Sequence, residues 1–193
     1  MSIVPIEDFK SYLKVTRGAD MADDDLIQAA LDAATEGINE WTHRQFVTPG
    51  AATVRSFEQT YSSFLRIHDC STVTAVTADA AAVSLTLVQT RPVSRVSWSG
   101  NWQPIEEIYW PGRHWASTVP TGVVSVTATW GWATIPTRVV EACKILTKDV
   151  LANRDVSFGI AAFTEYAGVR ARENPQVAQL LDPLRRVEAF GIA

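Results

Sequence analysis

The chain has 193 residues, 47% of them hydrophobic and 20% charged, with a formal net charge of −4. That composition belongs to a globular chain with a core, not to a disordered one, and no apolar run approaches the roughly 18–20 residues a membrane span requires. Two cysteines, Cys70 and Cys143, with no C-x-x-C between them, argue against a disulfide framework or a four-ligand zinc site.

The first stretch, "MSIVPIEDFKSYLK", lacks the basic start and apolar middle of a secretory signal, so synthesis in a cytoplasm is expected. "IEDFKSYLKV" places Ile6, Phe9 and Leu13 on one side of a short helix. After a Gly-Ala-Asp break, Asp23 to Asp25 suit a helix cap and first turn, where unpaired N–H groups and the helix dipole favour negative charge. Ile27, Leu31, Ala34, Ile38 and Trp41 then recur at spacings of four, three, four and three, which predicts a helix packing one apolar face. Residues 1–46 hold four Lys/Arg against nine Asp/Glu, and residues 47–136 hold five of each. A duplex-gripping protein would carry a basic stripe instead, so tight nucleic-acid binding is disfavoured.

From residue 51 to 134 the composition turns to Val, Thr, Ser and aromatics with partial alternation. "TVRSFEQ", "SFLRIHD", "STVTAVTA", "VSLTLVQ", "SRVSWSG" and "GVVSVTATW" read as separate short strands, divided by turns such as "TADAA" and "WPGRH". The helical pattern returns with Val139, Cys143, Leu146 and Val150. Residues 155–172 mix apolar and aromatic side chains without period, and then Asn174 caps a helix whose first turn holds Pro175. Pro183 ends or kinks that helix unless Asp182 caps a new one. The expected fold is α+β: a helical bundle of packed N- and C-terminal helices, 1–46 and 136–193, with an antiparallel β-region inserted at 47–135.

Candidates for chemistry are few. His68-Asp69-Cys70 contains nucleophile and base types, but adjacent residues of a strand point to opposite faces and do not converge. Glu106 and Glu107 diverge for the same reason, and His43 and His114 have no partner at ligand spacing. No phosphate-binding glycine loop, H-E-x-x-H or G-x-S-x-G is present. No catalytic residue, metal or cofactor is therefore expected. The richest segment is "WSGNWQPIEEIYWPGRHW", in which Trp98, Trp102, Trp110 and Trp115 are interleaved with Pro, Gly and polar residues. Some of these rings serve the core of a small sheet; aromatic loops of this kind also anchor protein interfaces or stack on sugars.

Three stretches together resemble the tailed-phage head–tail connector proteins, also called adaptor or head-completion proteins, in their actinophage-like version. "ALDAATEGINEWTHRQF" is similar to the alanine-rich second helix of that family. Trp130-Gly131-Trp132, Ile135-Pro136, Ala142 and Leu146 match its strand, aromatic-Gly-Trp step and following helix. "RDVSFGIAAFTEYAGVRARENPQVAQLLDPLRR" looks like its closing loop and helix. The resemblance implies a structural virion protein in the neck between capsid and tail. It would form a ring of copies of itself, twelve as a rule, under the portal protein, extend the channel for double-stranded DNA without binding it specifically, and give a stopper or tail-terminator protein its docking surface. No membrane enters that role. Interface candidates are Trp98, Trp102, Trp110 and Trp115; Phe158, Phe163 and Tyr166 in a segment expected to order on the portal or a neighbour; and Arg170, Arg172, Arg185 and Arg186 for the portal. Rival readings are a β-sandwich-like module whose Trp-rich loop takes a carbohydrate or protein ligand, and a small hydrolase built on His68 or the glutamate pair.

Overall fold

The computed structural model describes residues 2–13, 21–48, 50–58, 61–97, 100–116, 122–152 and 173–186. The chain divides into two compact units, Met1–Arg44 with Ile135–Ala193, and Gln45–Thr134.

The first unit carries α1 (Ile6–Tyr12), α2 (Met21–Thr42), α3 (Thr137–Ala152) and α4 (Pro175–Leu181). The α2 helix starts at Met21, ahead of the acidic run, and buries Ile27, Ala30, Leu31, Ala34 and Ile38 along one stripe. Lys10 of α1 pairs with Asp24 and ties the two helices together. In α3 the buried positions are Val139, Ala142, Cys143, Leu146, Thr147 and Val150, again one stripe, and α3 packs against α2. Pro136 stands just before α3, and its carbonyl accepts from the N–H of Val139 and Val140 at 2.9 and 3.3 Å. A proline there costs no helical donor and fixes φ for the entry. Asn174 caps α4 by accepting from the N–H groups of Gln176 and Val177, while its Nδ2 donates to Asp149 at 2.7 Å. Pro183 closes the helix, since Asp182–Leu184 is a 3₁₀ turn.

The second unit is a six-stranded antiparallel sheet with strands β1 (Thr53–Glu58), β2 (Phe64–Ala78), β3 (Ala81–Val83), β4 (Gln89–Arg91), β5 (Ile105–Tyr109) and β6 (Val123–Trp130). Their order is β1-β6-β2-β5-β4, with β3 on β2. "SFLRIHD" and "STVTAVTA" merge into the single 15-residue β2, and register shifts at Arg66/Cys70, Cys70/Thr72 and Val73/Ala75 break its pairing. Such bulges bend a strand and raise its twist. The buried cluster of Leu65, Ile67, Cys70, Val76, Ile105, Ile108, Trp115, Val124, Val126, Ala128 and Trp130 lies wholly within this unit. A bent sheet can therefore enclose its own core. "TADAA" makes the β2–β3 turn with both Asp79 and Ala80 at positive φ, the conformation that matches the twist of a two-residue hairpin. "SRVSWSG" contributes only the isolated bridge Val96↔Trp102 among the described residues, and Leu85–Leu87 of "VSLTLVQ" is a 3₁₀ turn.

The expectation of a helical bundle with an inserted sheet is thus overturned: the described chain combines a six-stranded antiparallel sheet with four helices. The helices α1 and α4 have seven residues each, about two turns, too short to serve as bundle members. The strands, for their part, form a core-bearing unit of their own and are no appendage to helices.

Candidate interface surfaces

Trp130-Gly131-Trp132 ends β6. Val124, Val126, Ala128 and Trp130 alternate onto the buried face of that strand, and Trp130 is 0% exposed. Its indole N–H donates to the carbonyl of Thr53 at 2.9 Å, and the Arg55 guanidinium lies 4.5 Å from its ring centroid. Arg55 is held there by Gln45 at 2.8 Å and by His68 Nδ1 at 3.0 Å. Gly131 has φ +98, and a Cβ on it would sit 2.7 Å from the carbonyl oxygen of Val47. Glycine is required twice over, for the dihedral and for the close approach of two backbones. Its N–H donates to the Asp69 carbonyl at 2.8 Å.

Trp132 is 5% exposed; its indole donates to Asp69 Oδ2 at 2.8 Å and its carbonyl accepts from Thr48 Oγ1 at 2.8 Å. Phe46 and Trp102 pack on its ring at centroid distances of 5.3 and 5.9 Å. Both rings of the step are buried, and both indole donors find their acceptors within the β-unit.

The Trp-rich segment follows the same inward logic in part. Trp115 is 1% exposed and donates to the Ser63 carbonyl at 3.0 Å. Trp110 lies against it at 4.9 Å and carries Arg113 over its other side at 5.6 Å. Trp102 is half-buried under Arg95, whose guanidinium stands 4.8 Å from the ring while donating to the carbonyls of Gln103 and Ser71. Trp98 lies outside the described residues, as do Phe158, Phe163, Tyr166, Arg170 and Arg172. At the C-terminal end, Arg185 is exposed and stacks 4.3 Å over Trp41, and the Arg186 N–H donates to the Thr42 carbonyl at 2.9 Å. Arg44 Nε donates to the carbonyl of Leu184. The chain after α4 is thereby tied to the C-terminal end of α2.

The candidate nucleophile trio lies inside β2, not at a strand end, and does not converge. His68 is exposed against Arg55 and Phe57, Asp69 is buried beneath Trp132, and burial pushes the Cys70 thiol up to about 12. Cys143 is likewise raised to about 11, first by burial. Glu107 pairs with Arg66 at 3.6 Å. Among the described residues no three His, Cys, Asp or Glu side chains are grouped to hold a metal ion, and no helix is long and apolar enough to cross a membrane.

Sequence reasoning missed a second aromatic cluster on the outer face of the sheet. Phe64 and Tyr109, directly opposite on β2 and β5, stack at 4.6 Å, and Arg91 from β4 lies over both rings at 5.5 and 5.0 Å. Phe64 is 42% and nearby Tyr61 88% exposed. The alternation in "FLRIHD", which sets Phe64, Arg66 and His68 opposite Leu65 and Ile67, was the available signal.

No family model matches the chain, and no curated protein matches it. Among solved structures, it is similar to a chain in the neck of an empty GTA (gene transfer agent) particle computed with C6 symmetry. The TM-score is 0.65 at 20% identity, over 97% of this chain and 92% of that one. A chain in the neck of the native GTA particle, computed with C12 symmetry, aligns with a TM-score of 0.57 at 15% identity, over 99% and 97%. The likeness spans both units, and it supports the connector resemblance read from the sequence: the fold of this chain is one found in the neck of a phage-like particle.

Proposed function

We propose that this chain is a structural protein of the neck of a phage-like particle, working as the head-to-tail adaptor. Copies assemble into a ring under the portal, extend the DNA channel and present the landing surface for a stopper or tail protein. The observation that carries this reading is a fold likeness covering nearly the whole chain, with neck chains solved under six- and twelve-fold symmetry. The described chemistry is consistent with it. The polar and aromatic groups described above hold strands and rings together, and a role in assembly asks for shape and complementary surfaces.

Within that role the exposed Arg185 and the half-buried Trp102 and Trp110 are contact residues, together with Trp98, Phe158, Phe163, Tyr166, Arg170, Arg172 and Arg186. Cosedimentation with purified heads tests the assignment. The chain is expected to pellet with heads that contain portal and to stay in the supernatant with heads that lack it. Equal recovery with both kinds of head refutes the reading. Deleting residues 156–172 is expected to leave circular dichroism near that of the parent while abolishing attachment; normal attachment refutes that segment's part in it.

A further inference from the structure

We propose that the outer face of β2, β5 and β4 is the socket for the acidic stripe of α2 from a second copy of this chain, so that ring neighbours join through these two surfaces. The proposal rests on the neck reading above and names its subunit contact. The socket is formed by Phe64, Arg66, Glu107, Tyr109, Gln89 and Arg91, which the registers Phe64↔Tyr109↔Gln89 and Arg66↔Glu107↔Arg91 place on one face. Its rings are stacked and partly open to solvent. Its two arginines face one carboxylate. Arg66 takes Glu107, whereas Arg91 has no ion-pair partner among the described residues and is held over Phe64 and Tyr109 instead. Exposed aromatics around a preorganised arginine are the composition of an interface centre.

The complementary surface lies on the other unit. All of α2, from Met21 to Thr42, contains no Lys or Arg. Its exposed residues include Asp25, Asp32, Glu36 and Glu40, at spacings of seven, four and four, so four carboxylates share one narrow face. Like charges one turn apart repel, and Glu40 stands in the last turn, where the helix dipole favours a cation. The C-terminal half of the stripe is thus arranged against the helix's own stability and in favour of a cationic partner. Arginine forks on carboxylates, over a floor of rings that excludes water, give register and specificity. Since the two surfaces differ, the contact is heterologous, the kind of interface from which a ring is closed.

The test is a charge exchange read by attachment to portal-containing heads. Arg66→Glu with Arg91→Glu reverses the socket; Glu36→Lys with Glu40→Lys reverses the stripe. The second pair exchanges the Glu36–Glu40 repulsion for one between two lysines, turns the Asp32–Glu36 repulsion into an attraction and puts a cation in the last turn. Its melting temperature is therefore expected to equal or exceed the parent's, and any loss of attachment is not misfolding. Tyr61→Ala probes the chain entering the socket, three residues before Phe64, at a residue that is 88% exposed. Each reversed variant alone is expected to attach at under about a tenth of the parent level. Tyr61→Ala is expected to attach several-fold more weakly. An equal mixture of the two reversed variants is expected to recover at least half of the parent level, because alternating copies pair reversed socket with reversed stripe. Parent-like attachment by either reversed variant alone overturns the proposal, and so does a mixture no better than its parts. Failure of the parent chain to attach overturns the neck reading itself and this contact with it.

Discussion

The β-unit contains two aromatic clusters with opposite economies of contact. The indole donors of Trp130 and Trp132 both have protein acceptors, and the rings are enclosed by Phe46, Phe57, Arg55 and Trp102. On the outer face of β2, β5 and β4, Phe64 stays partly open to solvent and Arg91 is held by rings alone among the described residues. The first cluster is complete within one copy. The second is not, and the contrast separates the residues that make the fold from those left to make contacts.

Substitutions sharpen that separation, in descending order of effect. Trp130→Ala removes a fully buried ring and leaves a cavity, so chemical denaturation is expected to show a loss of about 3–5 kcal/mol. Gly131→Ala forces a Cβ against the Val47 carbonyl oxygen at a positive φ, and a loss of about 2–3 kcal/mol is expected by the same measurement. Trp132→Phe keeps most of the ring but withdraws a donor from the buried Asp69 carboxylate; the expected loss is about 1–3 kcal/mol. A loss below about 0.5 kcal/mol in any of these three would contradict the joint's role. Tyr61→Ala, just before β2, is expected to change stability by no more than about 0.5 kcal/mol while weakening assembly.

The buried thiols supply a further check through pH. Burial raises Cys143 to about 11 from an ordinary 9.0, so the folded chain holds its proton where the unfolded chain releases it. Its contribution to stability is therefore complete below pH 9 and is lost as pH rises from 9 to 11. Relative to Cys143→Ala, the parent is expected to lose roughly 1–2 kcal/mol over that range. A constant difference between the two would show that the thiol is not shielded.

Much of this was legible in the sequence, for local reasons. The stripes of α2 and α3, the Pro136 entry and the Asn174 cap follow from period and from end chemistry that any helix must satisfy, and they stand where the residues put them. The architecture was not legible in the same way. Period-two alternation announces strands but not how far one strand runs through its bulges, so β2 was divided in two and a helical bundle was expected where a six-stranded sheet holds a core of its own. The inward turn of Trp132 depends on Asp69, 63 residues earlier, and such a pairing has no local signature. Trp115 was read as an interface candidate on local density of rings; its ring is buried and its indole donates to the carbonyl of Ser63, 52 residues earlier, a contact with no local signature. The outer cluster was missed because Phe64, Tyr109 and Arg91 come from three strands and meet only once those strands are paired.

The central claim is tested most directly by electron microscopy of portal-containing heads incubated with the purified chain. The account predicts a ring of added density at the single portal vertex of each head, absent from heads without the chain. Heads indistinguishable from untreated ones, or density scattered over the other vertices, would contradict it.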